Sequence, residues 1–71
     1  MTLEITYKGK ALLDDVLHEV VGGNSSAAGY DFRTDIRDIQ WNFKDLESLN
    51  AAKRRVAADE RLRGVTIRVL P

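Results

Sequence analysis

The segment Asp38-Ile39-Gln40-Trp41-Asn42-Phe43 alternates polar and apolar side chains without a break. Side chains along a strand point to opposite faces in turn, so Ile39, Trp41 and Phe43 share one face and Asp38, Gln40 and Asn42 the other. The same alternation recurs in Leu3, Ile5 and Tyr7, interleaved with Glu4 and Thr6, and in Val65, Ile67 and Val69, interleaved with Thr66 and Arg68. Three such segments predict a sheet with one face in a core beneath helices and one polar face left to water or a partner.

The intervening sequence supplies the helices. Residues 2–8 form the expected first strand, and Gly9 turns the chain into a helix over residues 10–21. A helical wheel places Leu12, Leu13, Val16, Leu17, Val20 and Val21 on one half, and Asp14, Asp15, His18 and Glu19 on the other. Gly22 and Gly23 end this helix, and residues 24–29 form a loop. Tyr30–Thr34 and Arg37–Phe43 read as a hairpin turning at Thr34–Arg37, with one long strand bent at Asp35 as the alternative. Asp45 is a good N-cap for a second helix reaching Asp59, with Leu46, Leu49, Ala52 and Val56 inward and Glu47, Arg54 and Arg55 outward. Lys53 falls at the edge of that stripe, where its stem covers core side chains. Gly64 reverses the chain into a last strand, Val65–Leu70, ended by Pro71.

The order strand, helix, strand, strand, helix, strand predicts an α+β fold of ferredoxin-like βαββαβ plan. In that plan a four-stranded antiparallel sheet, ordered 4-1-3-2, carries both helices on one face. The strongly alternating first and third strands become central, and the second and fourth become edges.

Seventy-one residues make a single domain, 1–71, near the lower size at which an apolar core alone sustains a fold. No cysteine is present, which removes disulfides, thiolate metal sites and thiol nucleophiles. Eleven basic and eleven acidic side chains cancel, so the whole molecule has no long-range attraction for a phosphate backbone or an anionic membrane. No apolar run approaches the ~20 residues of a membrane span, and no signal region is evident. The expected compartment is the cytoplasm.

The first candidate site is the uncovered face, comprising Glu4, Thr6, Lys8, Asp38, Gln40, Asn42, Thr66 and Arg68. RNA binders of this architecture carry stacking aromatics there. Here Tyr7, Trp41 and Phe43 have the opposite parity, which argues against that use. His18 lies beside Asp14 and Asp15 on the helix, an arrangement better suited to an exposed ion pair than to a metal or a general base. The small-residue loop 22–29 follows a helix C-terminus, where the dipole disfavours anions. Lys53, Arg54 and Arg55, followed by Arg61 and Arg63, form the one basic cluster, but acidic residues are interspersed. No serine stands in a nucleophile motif, and the lysines flanking Gly9 do not match the phosphate-holding arginine of acylphosphatases. No cofactor-binding spacing occurs.

The expectation is a non-enzymatic protein-interaction module, such as a small adaptor, regulator or phage-encoded inhibitor. It would bind a protein through the open face, the 31–42 hairpin or an edge strand, and self-associate through fourth strands or open faces. The alternative is nucleic-acid binding through Lys53, Arg54 and Arg55, assisted by Lys8, Lys10, Arg37 and Arg68. Small-molecule binding at a dimer interface is a third expectation, and catalysis ranks last.

Overall fold

A computed structural model describes residues 1–71. Four strands, β1 (Thr2–Lys8), β2 (Ala27–Asp31), β3 (Ile36–Asn42) and β4 (Thr66–Leu70), form one sheet in the order β2-β3-β1-β4. All neighbours are antiparallel. Helices α1 (Asp14–Val21) and α2 (Leu46–Ala58) cover one face, and a one-turn 3₁₀ helix at Glu60–Leu62 leads into β4. This is the ferredoxin-like arrangement, and none of its helices is long and apolar enough to cross a membrane.

The alternation of the sequence is realised in the register. Leu3 lies between Trp41 and Val69, Ile5 between Ile39 and Ile67, and Tyr7 opposite Arg37. Leu3, Ile5, Tyr7, Ile39 and Trp41 pack against Leu17 and Val21 of α1, Leu49, Ala52 and Val56 of α2, and Leu62. Phe43, Val65 and Ile67 are partly covered at the margin. Asp45 caps α2 as its sequence predicts, its side chain accepting from the Ser48 N–H at 2.7 Å.

The larger departures from the sequence reading are in α1 and β2; β3 is displaced by one residue and β4 begins one residue later than expected. Helix α1 starts at Asp14 and not at residue 10, because Ala11 takes φ +55° and Leu13 also lies outside helical geometry. Leu12, expected in the core stripe, therefore stands 75% exposed. Leu46, at the first position of α2, is also half exposed where an inward position was expected.

Strand β2 occupies Ala27–Asp31 and not Tyr30–Thr34, so Ala27, Ala28 and Gly29 belong to the sheet and the turn is Phe32–Asp35. Local hydrogen bonds favour this earlier turn. Asp31 Oδ1 accepts from the Arg33 N–H at 2.9 Å, and Asp35, at φ +59°, accepts from the Tyr30 hydroxyl at 2.6 Å. Aspartate tolerates the left-handed region better than most residues because its short side chain bonds locally. Gly29 pairs with Asp38, and a Cβ there would meet Asp38 Oδ1 at 3.0 Å.

Trp41 is 2% exposed and is the largest core side chain. Trp41→Ala should cost about 3–5 kcal/mol, a large share of the stability of so small a domain. Gln40→Ala, on the other face, should cost about 1 kcal/mol or less. Urea unfolding of both variants checks this; the opposite ranking would mean that the two faces are interchanged.

Candidate functional site

The register gathers Glu4, Thr6, Lys8, Asp38, Gln40, Asn42, Thr66 and Arg68 on the open face. Much of that face is engaged with itself. Glu4 receives Arg68 at 3.2 Å from one side and the Gln40 amide at 3.1 Å from the other, a polar row spanning three strands. Thr2, which parity also places here, donates its hydroxyl to Asn42 at 2.8 Å. Lys8, Asp38, Thr6 and Thr66 make no side-chain hydrogen bond or ion pair.

A denser polar cluster lies on the helix side, where the sequence reading expected none. Arg37 shares the parity of Ile39 and Trp41, so its side chain rises toward α1. Its Nη2 donates to Asp14 Oδ2 at 2.6 Å, its Nε to Asp14 Oδ1 at 3.2 Å, and its Nη1 to the Gly29 carbonyl at 3.3 Å. The Tyr7 hydroxyl donates to Asp14 Oδ1 at 2.6 Å and accepts from the Leu13 N–H at 3.0 Å. Asp14 was expected on the solvent half of α1. It follows Val21 by only about 20° on the wheel, because residues seven apart nearly superpose, so its carboxylate is about four-fifths buried. The Arg37 hydrogen bonds, followed by that of Tyr7, hold the Asp14 carboxyl below the usual carboxylate range despite the opposing effect of burial.

His18 does not form the expected ion pair. Its Nδ1 lies 2.8 Å from the main-chain carbonyl of Asp14, which can only accept, so Nδ1 carries the proton in that bond. Its Nε2 lies 3.3 Å from Ser25 Oγ, a pairing invisible in the sequence because it depends on how the loop folds back. The ring meets Trp41 edge to face at 5.7 Å. The Ser25 contact ties the loop after α1 to the helix. It lacks the carboxylate that steadies a catalytic imidazolium, since the Asp14 carboxylate faces Arg37. No group of three His, Cys, Asp or Glu side chains converges to hold a metal ion.

The basic residues are dispersed. Arg55 bonds the free carbonyls ending α1, with Nε to Val20 at 2.9 Å and Nη2 to Val21 at 2.8 Å, a favourable place for a cation. Arg55 also lines a groove with Glu19, Val20, Gly22, Ala58 and Asp59. Arg61 pairs with Asp59 at 2.7 Å and Glu19 at 3.3 Å. Lys53 and Arg54 are exposed on α2 without an ion pair.

The hairpin end of the molecule, one of the surfaces expected from sequence, carries two exposed apolar residues that sequence reasoning did not foresee. Phe32, in the β2–β3 turn, is 80% exposed, and Leu12, between β1 and α1, is 75% exposed. Their two loops are joined where the Gly9 N–H donates to the Asp35 carbonyl at 3.0 Å. Exposed Lys8, Lys10 and Arg33 flank them. Leu12 was hidden by its fit to a helical stripe, and Phe32 by its assignment to a strand.

Comparison with protein-family models, curated proteins and solved structures finds no match to this chain.

The Asp14 contacts carry a pH dependence. A carboxyl whose pKa is depressed by folding stabilises the native state above its unfolded pKa of about 3.9, and that contribution is lost as pH falls through the folded value. Asp14→Asn should therefore be less stable than wild type by about 1–3 kcal/mol at pH 7, with the gap narrowing below about pH 4. Urea titrations across pH test it; a gap independent of pH would assign the loss to packing.

Proposed function

We propose that this chain is a non-enzymatic protein-interaction module that docks through its hairpin end. The observation that carries this reading is the pair of large apolar side chains, Phe32 and Leu12, held out to solvent on two mutually bonded loops. Single exposed apolar residues are ordinary. Two on adjoining loops, one of them aromatic, are suited to serve as anchors, because aromatic residues concentrate binding energy when a partner's pocket desolvates them. The rim carries both signs, with Lys8, Lys10 and Arg33 beside Asp31 and Asp35, and so favours a partner with an apolar pocket and mixed charge around it.

Among the surfaces considered from sequence, the hairpin is favoured over the open face because Glu4, Arg68, Gln40, Thr2 and Asn42 already satisfy one another. Breaking those contacts would offset part of any gain from docking there.

The test is a pull-down from native lysate with tagged wild-type chain, a Phe32→Ser/Leu12→Ser variant, and a variant reversing the charges of Glu4, Asp38 and Arg68, each with and without nuclease. The expected result is one stoichiometric protein that survives nuclease, binds the charge-reversed variant and is lost with the Phe32/Leu12 pair. Both changes in that pair lie on exposed side chains, so its melting temperature should stay within a few degrees of wild type. Loss only in the charge-reversed variant would move the site to the open face. Nuclease-sensitive recovery would instead support nucleic-acid binding through Lys53, Arg54 and Arg55.

A further inference from the structure

The sheet has two edges, β2 and β4, and β4 is the one that leaves a large apolar side chain, Val69, exposed. Val69 is 43% exposed although it shares the helix-side parity of Ile67 and pairs with the fully buried Leu3. The direction of the β4 backbone groups follows from two hydrogen bonds at the far ends of the β1–β3 ladder. The Phe43 N–H donates to Met1 and the Gly9 N–H to Asp35, which makes Met1–Phe43 and Gly9–Asp35 hydrogen-bonded pairs. Such pairs alternate in an antiparallel ladder. Odd-numbered residues of β1 therefore bond to β3 and even-numbered ones to β4, so Thr66, Arg68 and Leu70 are the β4 residues bonded to β1. Ile67 and Val69 are left to direct their N–H and C=O groups outward, with no neighbouring strand to receive them.

We propose that the β4 edge pairs with the β4 edge of a second copy of this chain, antiparallel about a two-fold axis at Ile67, giving a continuous eight-stranded sheet with all four helices on one side. The register follows from self-complementarity. With the axis at Ile67, Val65 faces Val69 of the second copy, Ile67 faces Ile67 and Thr66 faces Arg68. Every helix-side contact is then apolar on apolar, and no charge meets its like. An axis at Arg68 would set two guanidinium groups against each other on the open face, which is destabilising for directly opposed like charges. An axis at Val69 would pair Ile67 with Pro71, which has no N–H to donate.

In the Ile67 register the two Ile67 residues exchange two main-chain hydrogen bonds. The Val69 N–H donates to the Val65 carbonyl of the second copy, and the reciprocal bond follows by symmetry. The Val65 N–H takes no part, because it already donates to the Leu62 carbonyl at 3.4 Å. Four main-chain bonds and the covering of Val69 make an isologous interface of the edge-pairing kind. The strand carries little to oppose it. Arg68 is its only charge and is drawn toward Glu4 at 3.2 Å, and Pro71 lies beyond the paired segment.

Sedimentation equilibrium of the 71-residue chain up to about 1 mM should show a reversible monomer–dimer equilibrium. Val69→Pro removes an N–H that points only outward, from a position whose side chain is partly exposed, and should weaken dimerisation at least about tenfold. Circular dichroism should show that the variant keeps the wild-type fold. A second measurement does not depend on that variant. Thr66 and Arg68 of opposite copies form a non-hydrogen-bonded pair with Cα atoms about 4.5 Å apart, within disulfide reach. Because the chain contains no cysteine, a mixture of Thr66→Cys and Arg68→Cys proteins should oxidise to a covalent dimer faster than either protein alone, whose like positions are diagonal and about 7–8 Å apart. A wild-type chain that stays monomeric throughout would overturn the proposal. So would a dimer indifferent to Val69→Pro, or a mixture that cross-links no faster than its components.

Discussion

The largely buried carboxylate of Asp14 joins more of this molecule than any other polar group. It receives Arg37 from β3 and Tyr7 from β1, while Arg37 also reaches the Gly29 carbonyl of β2 and Tyr7 takes the Leu13 N–H at the head of α1. Three strands and a helix therefore meet at one ion pair. The arrangement answers a physical need. Helix α1 has only eight residues, too few to be stable alone, and no side chain caps its first turn. Its two ends are held from outside, by Arg37 and Tyr7 at the head and by Arg55 on the last carbonyls. The apolar stripe of Leu17 and Val21 then needs only to fill the space between these clasps.

The same cluster sits at the end of the sheet that carries the proposed docking surface. Tyr7, Arg37 and Tyr30 form one row across β1, β3 and β2, immediately before the loops bearing Leu12 and Phe32. Tyr30 extends the ordering into the turn through its bond to Asp35. Apolar anchors on ordered loops lose less entropy on binding than anchors on mobile ones. The fold thus couples the stability of its shorter α-helix to the rigidity of the surface assigned to binding.

Much of the architecture was legible because β1 and β3 are central strands with one wet face, where a period of two leaves little freedom. Strand β2 was displaced by three residues because Ala27, Ala28 and Gly29 carry no alternation; they pair because β3 offers an unfilled edge and the absence of a Cβ at Gly29 leaves room for Asp38. The start of α1 was missed because Ala11 adopts a left-handed conformation that nothing in its side chain announces. Arg37 was the most recoverable of the missed residues, since its parity with Ile39 and Trp41 places a cation on the helix side and calls for an anion there. All eight open-face residues do share a face, but the bonding of Glu4 to Gln40 and Arg68 was beyond reach of pattern alone, as was the Ser25–His18 contact.

The central claim is that the Asp14 cluster orders the hairpin end locally and does not simply add to global stability. Native-state amide hydrogen exchange on wild type and Arg37→Met distinguishes the two directly. The account predicts that protection falls for the amides of Gly9 and Leu13 and for those around the Phe32–Asp35 turn, while Ile5, Ile39 and Trp41 keep exchanging through global unfolding. A uniform loss of protection throughout the chain, with no preferential opening of the hairpin end, would contradict it.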